Sequence, residues 1–180
     1  MRDLKFRAKV IKPTKPWMNL APVGSWVVGE LHTMSSQPHI HTSLAEKQPI
    51  DTSTIGEYTG LNDKNGKDIF EHDILLIKSF DNVLLPLAVP DDLDAVASFS
   101  HEDAKGKLLD ECKTPVIFRE GGFVIFLNGS ESMLANLFGD MRYHFPYYEV
   151  EVIGNFYDSP PALLKELHLV QKKVMAMTFD

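Results

Sequence analysis

Cysteine is nearly absent from this chain. Cys112 stands alone among 180 residues, so no internal disulfide can form and nothing points to an oxidising compartment. Asp110 and Glu111 precede it. Acidic neighbours raise a thiol pKa, so Cys112 reads as a structural thiol and not as a nucleophile. Long apolar runs are missing too: none approaches the ~20 residues that span a bilayer. The opening MRDLKFRAKV is charged and alternating, unlike a signal peptide. A soluble, cytoplasmic protein without membrane contact is expected. The signatures of common chemistry are also lacking. There is no G-x-S-x-G elbow, no phosphate loop and no dinucleotide fingerprint, and Glu120-Gly121-Gly122 reads as a hairpin turn. The expectation is a non-enzyme with no cofactor.

Positive charge is the other shortage. Lys and Arg number 18 against 25 Asp and Glu, a formal net charge of −7. Such a chain repels a nucleic-acid backbone unless its cations gather on one face. The densest basic run is Lys5/Arg7/Lys9/Lys12/Lys15, followed by Lys172/Lys173. The first alternates with apolar residues and reads as the solvated outer face of a strand. Asp91-Asp92 and Glu102-Asp103 read as solvated acidic surface.

Hydrophobic residues make up 44% of the chain, enough for a core, and they are patterned for strands. Leu4, Phe6, Ala8 and Val10 alternate with Lys5, Arg7 and Lys9, and Trp26–His32 follows as a second strand. Residues 33–54, rich in Ser, Thr, Pro and Gln, read as a long loop with at most a short edge strand. Ile55–Tyr58 is extended. Asn65-Gly66 supplies a tight turn, Lys67–Phe70 continues extended, Glu71-His72-Asp73 makes a corner, and Ile74–Ile77 is a buried strand. Residues 79–114 read as a helical insertion, with a helix from Ser100 to about Glu111 opened by the Ser100/Asp103 pair. Val116–Asn128 is a hairpin. Ser130 caps a short helix carrying Leu134, Leu137 and Phe138. Tyr148–Phe156 is the last strand, with a bulge suggested at Gly154. Ser159-Pro160-Pro161 opens a C-terminal helix over 159–173.

Two residue clusters invite a functional reading. His39-x-His41 places two imidazoles on one side of a strand, and His32 lies close in sequence. Such rings can share a metal, with Glu30 or Asp73 to complete the set. Pro38 and the Ser/Thr neighbours suggest an exposed loop instead, and no acidic residue has a motif's spacing, so no metal is assigned. Tyr143, Phe145, Tyr147 and Tyr148, beside Arg142 and His144, could stack bases or serve as core and interface. The acidic balance favours the second.

Three blocks carry a family likeness. They are Leu4-Lys5-Phe6-Arg7-Ala8, the string GEYTGLNDKNGKDIFEHDI from Gly56 to Ile74, and EVIGNFYDSP from Glu151 to Ser159-Pro160, with Phe123 after Gly121-Gly122 between them. In this order they resemble the YopX family of phage and prophage proteins. His72 stands where that pattern usually has Gly, so the corner before Asp73 must differ or His72 must take a left-handed conformation. The resemblance implies a phage-borne, mainly β protein in a bacterial host cell and no assigned activity. The residues themselves explain the central block as turn chemistry: Tyr58 and Leu61 anchor it, while Asp63 and Asp73 bond nearby backbone N–H groups.

The expected architecture is therefore one mainly β domain over 1–180: a small curved sheet or SH3-like barrel with a helical insertion and a C-terminal helix. The expected role is a non-catalytic accessory module acting through an unidentified protein partner, possible as a homo-oligomer. The alternative is a nucleic-acid-binding small barrel, which needs Lys5, Arg7, Lys9 and Lys12 to form a basic face.

Overall fold

The alternation at the start of the chain produces strand β1, Phe6–Lys9, whose Ala8 is fully buried. The computed structural model describes residues 4–12, 20–34, 37–42, 46–82, 105–127, 130–138, 147–165 and 167. β2 (Trp26–His32) pairs antiparallel with β1, setting Arg7 opposite Val28 and Lys9 opposite Trp26. The stretch expected as a loop instead contains β3 (His39–His41), β4 (Lys47–Pro49) and a 3-10 turn at Thr52–Thr54. Polar composition hid these short strands, yet Ile40, Gln48 and Ile50 are buried. β5 (Gly56–Asn62) and β6 (Asp68–Phe70) complete a six-stranded sheet of order β4-β3-β2-β1-β5-β6. Gly29 is required within it, because a Cβ there would lie 1.8 Å from the His41 carbonyl oxygen.

β7 (Asp73–Asn82) lies between β8 (Lys105–Pro115) and β12 (Tyr147–Asn155) in a second antiparallel sheet. Here the expected insertion is corrected. Lys105 to Glu111 is strand and not helix, in ladder with β7. Gly106 weakens local helix preference, and the long-range ladder decides the outcome. The remainder of that expected insertion, 83–104, lies outside the described residues. β9 (Ile117–Arg119), β10 (Gly122–Leu127) and β11 (Ser130–Met133) form the third sheet. Ser130 begins a strand rather than capping a helix; Leu134–Phe138 is a 3-10 turn. The β9–β10 hairpin turns through Glu120 (φ +52) and Gly121 (φ +83), the two positive angles that a tight hairpin favours. The ladder of β12 shifts register between Val152 and Gly154, as the glycine suggested. A short helix follows at 161–165, with Leu167 buried beyond it; most of the rest of the expected 159–173 helix is outside the described residues.

The chain is thus mainly β. Among the described residues the three sheets stay open, so the SH3-like barrel gives way to packed open sheets. One core joins Leu75, Ile77, Val150 and Val152 to Ile125 and Leu134. A second, under β1 to β3, joins Ala8, Val10, Val27, Ile40 and Ile50. Burying such side chains contributes about 1.5–3 kcal/mol each relative to exposure. The opposite face of β1 is left to carry charge.

Candidate functional site

Period-two geometry directs Lys5, Arg7 and Lys9 away from the second core. They meet carboxylates and rings instead of water. Lys5 Nζ lies 2.6 Å from Asp68 Oδ2 and 4.0 Å from the centre of the Tyr58 ring. Arg7 Nη2 lies 2.7 Å from Asp73 Oδ1 and donates to the Glu71 carbonyl at 3.1 Å. The same guanidinium sits 4.9 Å from the ring centres of both Trp26 and Phe70. Lys9 pairs with Asp158, whose other oxygen accepts the Trp26 Nε1–H. The expected solvated basic face is therefore corrected. Arg7 is only 8% exposed, because the corner at His72 and the segment after β12 bring acids and aromatics over the strand.

Asp73 is the buried partner of this row, 1% exposed. Its Oδ2 accepts the Phe70 N–H at 2.9 Å. Burial pushes its carboxyl above the usual range, while Arg7 and the Phe70 N–H pull the other way. Asp158 is held below that range by hydrogen bonds from Lys9 and Trp26. The Nε of Arg7 is buried and finds no hydrogen-bond partner among the described residues; the ring faces of Trp26 and Phe70 are its neighbours.

Over this row opens a cleft of about 370 Å³. Trp26, Val28 and Phe70 give it apolar walls; Arg7, Asp73, Asp68, Lys67 and Asn155 supply polar ones. Size and lining suit a small molecule or an inserted side chain. Beside it, the Tyr157 hydroxyl donates to the Ser53 carbonyl at 2.6 Å, and the Tyr157 ring meets Trp26 and His72. His72 takes the left-handed conformation with φ +67.

The three histidines converge at the other end of the same sheet face. His32 stands opposite His39 in the ladder, and their rings stack within 6° of parallel at 5.2 Å. His41 lies 4.4 Å from His32 and 5.0 Å from His39. Among the described residues no group of His, Cys, Asp and Glu is arranged to hold a metal. The in-plane lone pairs of the stacked His32 and His39 rings lie in separate parallel planes, whereas a tetrahedral ion needs its ligand lone pairs to meet at a point. Cys112 is half-buried, and burial followed by Asp110 and Glu111 pushes its thiol up to about 11. Of the aromatic cluster at 143–148, only Tyr148 has a described side chain, and it packs against the first core. Lys12 is exposed; Lys15, Arg142 and His144 lie outside the described residues. No helix among the described residues is long and apolar enough to cross a membrane.

Sequence reasoning missed Asp68 and Asp158 as partners of the basic strand, and Trp26 as its cover. The signal was present. The opening block carries Lys5 and Arg7, with Lys9 just beyond it, and the other two blocks carry Asp68, Asp73 and Asp158.

These features define a mainly β protein whose most elaborated surface among the described residues is a neutralised cation–aromatic cleft. The YopX family model matches residues 5–165, and the chain belongs to the YopX family. Neither a curated protein nor a solved structure matches it.

Proposed function

We propose that the chain is a phage accessory protein of the bacterial cytoplasm that binds another protein through the Trp26–Arg7–Phe70 cleft and catalyses no reaction. One observation carries this reading: Lys5, Arg7 and Lys9 are each matched to a carboxylate and each places its charged group over an aromatic ring. Phosphate recognition calls for unspent positive charge. Protein interfaces instead favour Trp, Tyr and Arg held rigid at the rim of an apolar pocket. Val28, 41% exposed beside Trp26, extends that apolar surface.

The test compares wild type with Val28→Asp and Trp26→Ala in pull-downs from host lysate, after circular dichroism has shown that each variant folds. A partner retained by wild type and lost by Val28→Asp supports the reading. Wild type that captures nothing, or variants that bind equally, overturns it.

Nucleic-acid binding is the second reading, favoured by aromatics interleaved with Lys5, Arg7 and Lys9 as in single-strand binders. A mobility-shift assay at low salt, on single-stranded and duplex DNA, decides between them. A shift that Lys5→Ala and Lys9→Ala weaken establishes this reading; no shift retires it.

A further inference from the structure

We propose that His32, His39 and His41 act as a proton-operated latch that holds the β3–β4 hairpin on the sheet at neutral pH and releases it on acidification. The hairpin ends the six-stranded sheet: β4 is the edge and β3 joins it to β2, while just past β4 the chain returns to β1 through the Val10–Ile50 bridge and the Ile11 N–H donating to the Pro49 carbonyl. Its contact with β2 runs over three ladder pairs, Glu30–His41, Leu31–Ile40 and His32–His39. Two of those pairs place an imidazole on the face where the three rings gather, within 4.4 to 5.2 Å of one another. Neutral rings stack at such distances, whereas like charges there repel.

Among the described residues few groups are placed to relieve that repulsion. On β2, Glu30 lies 3.9 Å from His32, stands opposite His41, and is mostly exposed. On β4, Lys47 stands opposite His41 and adds to the positive charge, and Pro49 stands opposite His39. Glu46, just before β4, is in contact with Gln48. From β1, Arg7 and Lys9 are committed to Asp73 and Asp158. His39 is buried, with its Nδ1 3.1 Å from the Gln37 carbonyl, where it can donate. Any proton added to the cluster after the first meets charge already present.

The direction agrees. Burial, then His32, His39 and Lys47, hold His41 below the ordinary histidine range, and Glu30 opposes them. A histidine whose pKa falls on folding stabilises the folded form above its unfolded value, about 6.5. That stabilisation is lost as pH falls through the lowered value, because the released form binds more protons. Ile40 and Ile50 share the second core with Ala8, Val10 and Val27 and take no part in the first, so the loss falls on β1 to β4 and spares β7 and β12.

Hydrogen–deuterium exchange at pH 7.5 and pH 5.5, corrected for intrinsic rates, tests the latch. Amides of 39–41, 47 and 48 are expected to lose about tenfold or more of their protection at the lower pH, while those of β7 and β12 keep theirs. His32→Gln, at an exposed position, should keep neutral protection and lose most of the acid response. A proton NMR titration of the imidazoles gives a readout that does not depend on the variant folding: the three rings should titrate as a coupled set. Unchanged hairpin protection, an equal loss across β7 and β12, or three independent titrations at ordinary midpoints would each overturn the proposal. The result is independent of whether the Trp26 cleft binds a protein.

Discussion

The carboxylate of Asp63 accepts the backbone N–H of Val152 at 3.0 Å, across a separation of 89 residues. Its other oxygen accepts the N–H groups of Asn65 and Lys67, so one side chain both shapes the Asn65-Gly66 turn and pins it to the edge of β12. The Lys64 N–H completes the junction by donating to the Val150 carbonyl. An open strand edge is a site of unwanted pairing, and here a turn occupies it. Gly66 alone of the turn pair has positive φ, +78.

Asp63→Ala should therefore cost about 3 kcal/mol, since hydrogen bonds to an ionised group contribute about 1.5–3 kcal/mol each and their losses overlap. Urea melts at pH 7 measure it. Burial opposes ionisation of this carboxyl, but the N–H groups of Val152, Lys67 and Asn65, with the Lys67 charge, prevail and hold it below the usual range. A depressed folded pKa stabilises above the unfolded value and is lost as pH falls through the folded one. The gap in stability between wild type and Asp63→Ala should accordingly narrow below about pH 4. A gap constant down to pH 2 would contradict the assignment.

Arg7 and Asp73 are both buried, so breaking the pair strands a charge. Arg7→Met should cost about 3–5 kcal/mol at pH 7. Without Arg7 the Asp73 carboxyl, already raised by burial, rises further. A carboxyl with a raised folded pKa favours the fold most when protonated, so the variant should recover part of its deficit on acidification. Thermal melts from pH 7 to pH 4 follow this.

His72 supplies a third comparison. At φ +67 a side-chain-bearing residue is strained, by about 1–2 kcal/mol, and its ring meets Phe156 and Tyr157 edge-on. His72→Gly loses the ring contacts and the strain; His72→Ala loses only the contacts. The glycine variant should be the more stable of the two by about 1 kcal/mol, read as a difference in urea midpoint.

Cys112, with its thiol pushed up to about 11, should react with iodoacetamide at pH 8 at least tenfold more slowly in the folded protein than in urea. Only the thiolate is nucleophilic. Equal rates would mean that the strand around Cys112 opens readily.

Much of the fold could be read from local chemistry. Turns declared themselves at Asn65-Gly66 and Glu120-Gly121, alternation marked β1, β2 and β12, and the displaced family glycine marked the left-handed His72. The errors share one cause. Lys105–Glu111 has helix-like local cues, but the ladder to β7 decides its form. β3 and β4 are too short and polar to stand out, yet Ile40 and Ile50 anchor them. For the cleft, the sequence supplied the cations but not their partners. Arg7–Asp73 joins distant segments and Lys9–Asp158 spans most of the chain, and periodicity reports only what lies within a few residues. The three histidines were visible as a group, while the stacking of their rings depends on the register of β2 with β3.

The Lys9–Asp158–Trp26 junction bears on how the chain is made. During synthesis, Lys9 and Trp26 leave the ribosome long before Asp158 does. Until then β1 carries a cation and β2 an indole without the carboxylate that seats both, so the nascent N-terminal half should linger as a chaperone client and consolidate only once translation has passed the Asn155 turn. Contacts of such high sequence separation slow folding, and release of the finished polypeptide, rather than emergence of its first half, should set the pace at which this surface matures.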